Sequence, residues 1–245
     1  MTKFEPHAEL DAALQELAGI LVSDEDVDST LSRITHLAVA CIEGADFCGV
    51  SLVVEGMKGK EIKTVGATSE IAAEVDLVQY EVGEGPCLSS IADQATFKIE
   101  DISSDRQWPR FSAAAADKGV KSMLAFVMQI SDKSLAALNL FAQKPHAFTR
   151  EDIRVGALFA SHAAFTLANA QTHERDQQKA QQLEQALDTR GVISNAVGIL
   201  MAQEAVNRDD AFGILRNTSQ TLNIKLRVIA EGIVDKAEKR GPKRA

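Results

Sequence analysis

Residues 190–234 read RGVISNAVGILMAQEAVNRDDAFGILRNTSQTLNIKLRVIAEGIV. Apolar residues recur there at three- and four-residue spacing: Ile193, Ala196, Val197, Leu200 and Met201, then Ala211, Phe212 and Leu215, then Leu222, Leu226, Ile229, Ala230 and Ile233. That period puts each set on one side of a helix, so three short helices closing a small bundle are expected. Asn207 ahead of Arg208-Asp209-Asp210 offers a capping amide and two carboxylates to the start of the second helix, where unpaired N–H groups and the helix dipole favour both. Arg190, Arg216, Ser219, Gln220, Asn223, Lys225 and Arg227 are polar residues that such a core does not need.

The order A-x-G-I-L-M, then D-D-A-F-x-x-L-R-x-x-S-Q, then N-x-K-L-R-x-I-A-x-x-I-V resembles an ANTAR domain, a small three-helix RNA-binding module of bacterial antitermination regulators. The first helix of the family often carries Gln-Ala-Lys-Gly where this chain has Asn195-Ala196-Val197-Gly198. The resemblance implies binding to paired stem-loops in a nascent leader transcript, favouring the antiterminator over the terminator hairpin. It also implies RNA contacts from Arg190, Asn195, Arg216, Ser219, Gln220, Asn223, Lys225 and Arg227. Those residue types suit hairpin loops, because splayed bases expose hydrogen-bonding edges and Lys and Arg neutralise phosphates. Ser219, Gln220 and Asn223 equally suit ending one helix and capping the next. Three short helices also fit a helix-turn-helix on duplex DNA, with Lys225 and Arg227 as base readers; Ser219-Gln220 and the family pattern favour RNA.

Charge divides along the chain. Residues 189–245 hold ten Lys or Arg against six Asp or Glu, a net of +4, which leaves −13 upstream within a total of −9. A net-acidic chain with a pI near 5.1 is not a general nucleic-acid binder. Any RNA affinity is therefore expected from the C-terminal part and should fall with salt. Lys239, Arg240, Lys243 and Arg244 around Gly241-Pro242 read as a basic tail over residues 239–245.

The first 150 or so residues alternate helical and strand patterns. Helices are expected at 10–22, 27–42, 69–78 and 109–118, and strands at 47–54, 60–68, 96–99, 121–130 and 134–141. The fold class is α+β, an antiparallel sheet with helices packed on its back. Gln79-Tyr80, Gly83-Glu84-Gly85-Pro86-Cys87, Asp101, Arg106-Gln107-Trp108-Pro109-Arg110-Phe111, Gly119-Val120-Lys121-Ser122 and Ala137-Leu138-Asn139-Leu140 resemble a GAF domain of the bacterial signalling type. The resemblance covers about residues 8–170 and implies a sensor, whose signal would be a small molecule or a protein. Tyr80, Cys87, Asp101, Trp108 and Phe111 are candidates for a pocket lining. Gly83-Glu84-Gly85 lacks a third glycine and does not follow a good strand, so a tight turn is expected there rather than a phosphate cradle.

Cys41, Cys48 and Cys87 lack metal-ligand spacing and suit a reducing cytoplasm. Some GAF-fold proteins reduce oxidised methionine with cysteines, which keeps a redox enzyme or sensor as an alternative, with Cys87 at a helix start as its best thiol. No paired catalytic cysteines and no acid–base pair are visible, so no enzyme activity, metal or cofactor is expected. Met1-Thr2-Lys3-Phe4 leads straight into a charged amphipathic segment without a signal peptide. The uncharged run Gly156 to His173 is diluted by Ser161, His162, Thr166, Asn169, Gln171 and Thr172, so it is not read as a membrane span.

Four segments result: a sensor at 8–170, a helical coiled-coil connector at 171–188, an ANTAR module at 189–238 and the tail. From Glu151 to Asp188 the chain lacks Pro and has only Gly156, so one helix is expected. Its middle, Gln171 to Lys179, is polar on all sides, and a lone helix of that kind is marginal in water. Ala157 and Ala164, Ala180, Leu183 and Leu187, and Ala186, Ile193 and Leu200 are expected to form a broken seam with a second copy in a parallel homodimer.

Overall fold

The computed structural model describes residues 8–20, 26–56, 59–131 and 135–240. It divides into two compact units, Met1–Glu174 and Arg175–Ala245. Residues 241–245 of the expected basic tail lie outside the described residues.

In the first unit, α1 (Ala8–Ile20) and α2 (Val27–Cys41) precede the hairpin β1 (Phe47–Gly56) and β2 (Gly59–Ala67). Then come α3 (Glu70–Val82), α4 (Pro86–Asp93), β3 (Phe97–Ile99), a short 3-10 turn, α5 (Pro109–Asp117), β4 (Ser122–Gln129) and β5 (Leu135–Ala142). The strands form one antiparallel sheet in the order β2-β1-β5-β4-β3. Helix α6 (Arg150–Glu204) begins in this unit. Helix starts follow local chemistry: Asp26 and Ser69 cap α2 and α3 by accepting the N–H of Ser29 and Ala72, as short polar side chains at that position do.

Strand alternation sends side chains to two cores rather than one. Cys48 and Val50 of β1, Leu124, Phe126 and Met128 of β4, and Leu138 and Leu140 of β5 meet α1, α2 and the start of α6. Met123 and Ala125 of β4 and Ala137 and Phe141 of β5 face the other way, against α3, α4 and α5. The expected antiparallel sheet with flanking helices is thus present, and the helices cover both of its faces. The near-continuous apolar runs of β4 and β5 are the reason, since a strand buried on both sides has no polar face. The uncharged run after Gly156 is explained by the same packing: Phe159, Ala160, Ala163, Ala164 and Leu167 are buried in the first core. Among the described residues no helix is long and apolar enough to cross a membrane.

The second unit holds the rest of α6, then α7 (Arg208–Leu222) and α8 (Leu226–Arg240). Ala196, Val197, Leu200, Ala211, Leu215 and Ala230 form its buried core, flanked by Val192, Ile193, Leu226, Ile229 and Ile233. The first of the three expected short helices is not separate; it is the end of α6. Gly191 does not break the helix, because one glycine costs only about 1 kcal/mol against alanine and flanking packing outweighs it. Asn207 caps α7 as expected: its side-chain oxygen accepts the N–H of Asp210 at 2.9 Å and its amide donates to Asp210 Oδ2 at 2.7 Å.

The expected seam is corrected in part. Ala164 and Leu200 are buried in the chain's own cores, and Ile193 packs beside the latter. The large apolar side chains that α6 leaves in solvent among the described residues are Leu158, Phe165, Leu183, Leu187 and Met201, and every residue from Thr172 to Asp188 is exposed.

Candidate functional site

On the second face of the sensor sheet lies a buried polar cluster. Helical spacing puts Ala72, Val75, Asp76 and Gln79 on the buried side of α3; alternation puts Ser51 and Asn139 on the facing side of β1 and β5. Asp76, Gln79, Ser51 and Asn139 are all fully buried. Asn139 Nδ2 donates to Asp76 Oδ1 at 2.7 Å and to Ser51 Oγ at 2.9 Å. Gln79 Nε2 and Thr64 Oγ1 donate to the same carboxylate, each at 3.3 Å. Tyr80 Oη lies 2.5 Å from Ser51 Oγ and 3.0 Å from Thr64 Oγ1. Asn139 Oδ1 has no hydrogen-bond partner among the described residues. Asp76 fits only because its neighbour on β1 is Gly49, where a Cβ would come 2.5 Å from Asp76 Oδ2. Burial raises the Asp76 carboxyl to about 7, against the pull of its hydrogen-bond donors Asn139, Thr64, Ser51 and Gln79, as desolvation of a charged group requires.

The Gly83–Cys87 segment is structural throughout. Gly83 ends α3 in the left-handed conformation with φ 70°. Glu84 Oε1 accepts the N–H groups of Arg110 (2.6 Å) and Phe111 (3.2 Å) at the start of α5. Gln79 Oε1 accepts the Cys87 N–H at 2.9 Å, so a side-chain amide already occupies the start of α4. Gly85 has φ 146°, and a Cβ there would run into the Gln79 side chain. Gly85→Ala is therefore expected to cost about 2–3 kcal/mol through strain and loss of that cap. Thermal melting checks it, and an unchanged midpoint would refute this role of Gly85.

Of the pocket candidates, Tyr80 joins the polar cluster, while Cys87, Trp108 and Phe111 lie in the apolar core beside it. Trp108 packs edge-on against Phe97 with ring centroids 5.7 Å apart, and its Nε1 donates to Ser89 Oγ at 3.2 Å. Asp101 stands apart: its carboxylate accepts the N–H and hydroxyl of Ser103 at 2.9 and 2.7 Å, which fixes the loop after it. Sequence reasoning does not bring Asp76, Gln79 and Asn139 together. The signals available for them are Asp76 at a buried helical position and Asn139 inside LAALNLFA. The three thiols are free; burial pushes Cys41 and Cys87 up to about 12 and Cys48 well above its ordinary value. Thiols so shifted present almost no thiolate at neutral pH.

The second unit distributes the polar residues of 190–234 over several faces. Arg190 and Arg227 line one hollow between α6, α7 and α8, together with Phe212. Arg216 lies one helical turn beyond Phe212 along α7. Asn195, about 200° round α6 from Ile193, does not line that hollow. Ser219 Oγ donates to the Ile224 carbonyl at 2.6 Å, and Asn223 is the left-handed end of α7 with φ 52°; both shape the turn into α8. Gln220 and Lys225 are exposed; the Lys225 carbonyl accepts the N–H of Val228 at 2.9 Å. Val197, where the family often has lysine, is only 3% exposed and belongs to the core.

A sheet domain with a buried polar centre is thus followed by a helical module that bears exposed cations. Residues 24–168 match the GAF domain and residues 181–234 the ANTAR domain, so the chain belongs to the GAF domain family and carries an ANTAR domain at its C-terminal end. GAF domains sense signals and ANTAR domains bind RNA in antitermination. The GAF domain from an Acinetobacter phosphoenolpyruvate-protein phosphotransferase is similar at 13% identity and a TM-score of 0.52, over 70% of this chain and 97% of that one. So is the free methionine-R-sulfoxide reductase of Neisseria meningitidis in complex with its substrate, at 13% and 0.53, over 70% and 95%. The phycoerythrobilin-bound GAF domain from a cyanobacterial phytochrome is similar at 9% and 0.53, over 67% and 97%. At these identities the likeness shows the fold. No curated protein matches the chain.

Proposed function

We propose that this protein is a signal-responsive antitermination regulator of the bacterial cytoplasm that binds paired stem-loops in nascent leader RNA and stabilises them against the terminator. The observation that carries this reading is the set of uncompensated cations on the C-terminal module. Arg190, Arg216 and Lys225 are exposed and form no ion pair or side-chain hydrogen bond among the described residues, in a segment of net charge +4 within a chain of −9. Two copies, paired in parallel along α6, would present two modules to two hairpins. A signal at the sensor need only shift an existing equilibrium between helix arrangements, since a few kcal/mol change occupancy by orders of magnitude.

The test is binding of the full chain to a tandem-hairpin RNA from a terminator-bearing leader across a salt series, with a loop-scrambled RNA and duplex DNA as competitors. Loop-dependent binding is expected, weakening with salt. Arg216→Ala and Lys225→Ala should each weaken it and lower the salt slope by roughly one. Preference for the duplex would instead establish the DNA reading. The redox-enzyme alternative has little support from thiols that burial keeps protonated.

A further inference from the structure

Phe212 occupies a helical position beside Ala211 and one turn from Leu215, both fully buried, yet it is 41% exposed. Its ring borders an open hollow of about 550 Å³ lined also by Gln182, Gln185, Thr189, Arg190 and Arg227, with no carboxylate in the lining. That volume lies within the range of small-molecule sites. Arg227 is braced: its Nε donates to Glu231 at 2.7 Å and its Nη1 to Thr189 Oγ1 at 3.3 Å. On its other side Phe212 borders a smaller hollow of about 230 Å³, shared with Arg190 and holding Arg208 and Asp209. Asp209 lines that smaller hollow and opposes a phosphate in it, whereas Glu231, the carboxylate bonded to Arg227, does not line the larger one.

We propose that the larger hollow is a nucleobase site. A base splayed from an RNA loop stacks on Phe212, its hydrogen-bonding edge meets the carboxamides of Gln182 and Gln185, and its flanking phosphates meet Arg190 and Arg227. This rests on the RNA reading above and adds to it the contact that tells a loop from a stem. The chemistry selects this occupant. An exposed aromatic face accepts any base and contributes about 1–3 kcal/mol per stacked base. Carboxamides both donate and accept, as base edges do. Guanidiniums grip phosphate. A partner helix of a dimer would want a longer apolar stripe, and the exposed Leu183 and Leu187 lie about 100° or more round α6 from Gln182, Gln185 and Thr189, so pairing through them leaves that side of the hollow open.

The experiment uses the full chain and the same tandem-hairpin RNA, with a fluorescent adenine analogue placed at successive loop positions. Wild type and Phe212→Trp should both give a fluorescence change confined to one loop position. Phe212→Leu should lose that change and bind about tenfold to a hundredfold more weakly. Gln185→Glu, at an exposed position on α6, should weaken binding about tenfold by setting a carboxylate against the RNA, and it decides the matter alone if Phe212→Leu fails to fold. Wild-type loop binding with both variants unaltered overturns the nucleobase site and leaves the RNA reading standing. Absence of loop-dependent binding in wild type removes the RNA reading and this site with it. A switch from dimer to monomer on Phe212→Leu would show that a second copy covers the hollow, and also overturns the site.

Discussion

Asp76→Asn is expected to abolish a stability loss that the wild-type sensor shows as pH rises from about 4 to about 7. The folded-state value of about 7 lies above the ordinary 3.8, so between them the native state holds a proton that the unfolded chain has released. Unfolding then releases that proton, and stability falls as pH rises through the folded value and is level above it. The neighbouring titratable groups do not take part in this window: burial raises Tyr80 and Cys48 and holds Cys87 at about 12. The full effect is on the order of 4 kcal/mol, a large part of the roughly 5–15 kcal/mol that holds a domain together. Asparagine keeps the shape and leaves an acceptor for Asn139 Nδ2. Asp76→Leu removes that acceptor and strands two buried amides, at about 3–5 kcal/mol at any pH. Thermal melts from pH 4 to about pH 8 check both; parallel curves for wild type and Asp76→Asn would mean that Asp76 does not titrate in this range.

The parts of this site that local chemistry dictates were legible in the sequence. Asn207 before two aspartates gave the start of α7, and Pro109 gave the start of α5. The turn at Gly83–Gly85 was also readable, but not its cause: Glu84 reaches Arg110, 26 residues away, and Gln79 turns back to Cys87. Asp76 and Asn139 meet across 63 residues; helical spacing marks the first as buried, but no local pattern names its partner. Periodicity also overcounts the C-terminal core. Met201, Phe212 and Leu222 share the spacing of buried residues yet remain 36%, 41% and 57% exposed, because a bundle of three short segments cannot cover a wide apolar stripe on each. The run of α6 past Gly191 escapes the sequence for a related reason, since a glycine marks a helix end only when nothing on either side favours continuing.

Replacing Leu183 and Leu187 together by glutamate should yield a monomer whose affinity for the tandem-hairpin RNA is about 10²–10⁴ lower, with affinity for a single hairpin unchanged. The two leucines are 64% and 59% exposed, one turn apart, in a stretch where every side chain from Thr172 to Asp188 meets solvent. A helix that is polar all round gains little from water-facing propensity and needs a partner or many pairs to persist. One charge pair in this stretch, Lys179 with Asp176 at 3.4 Å, is on the surface and adds only a few tenths of a kcal/mol. Burying each leucine against a second copy contributes about 1.5–3 kcal/mol, and glutamates at the same positions would repel across the pair. On the proposed function, losing the dimer would remove no RNA contact from either module. What goes is the effective concentration of the second module once the first is bound, worth a factor of about 10²–10⁴. Sedimentation and binding to one-hairpin and two-hairpin RNAs separate the causes: equal losses on both RNAs would point to damage in the module itself, and a monomeric wild type would remove the dimer from the mechanism.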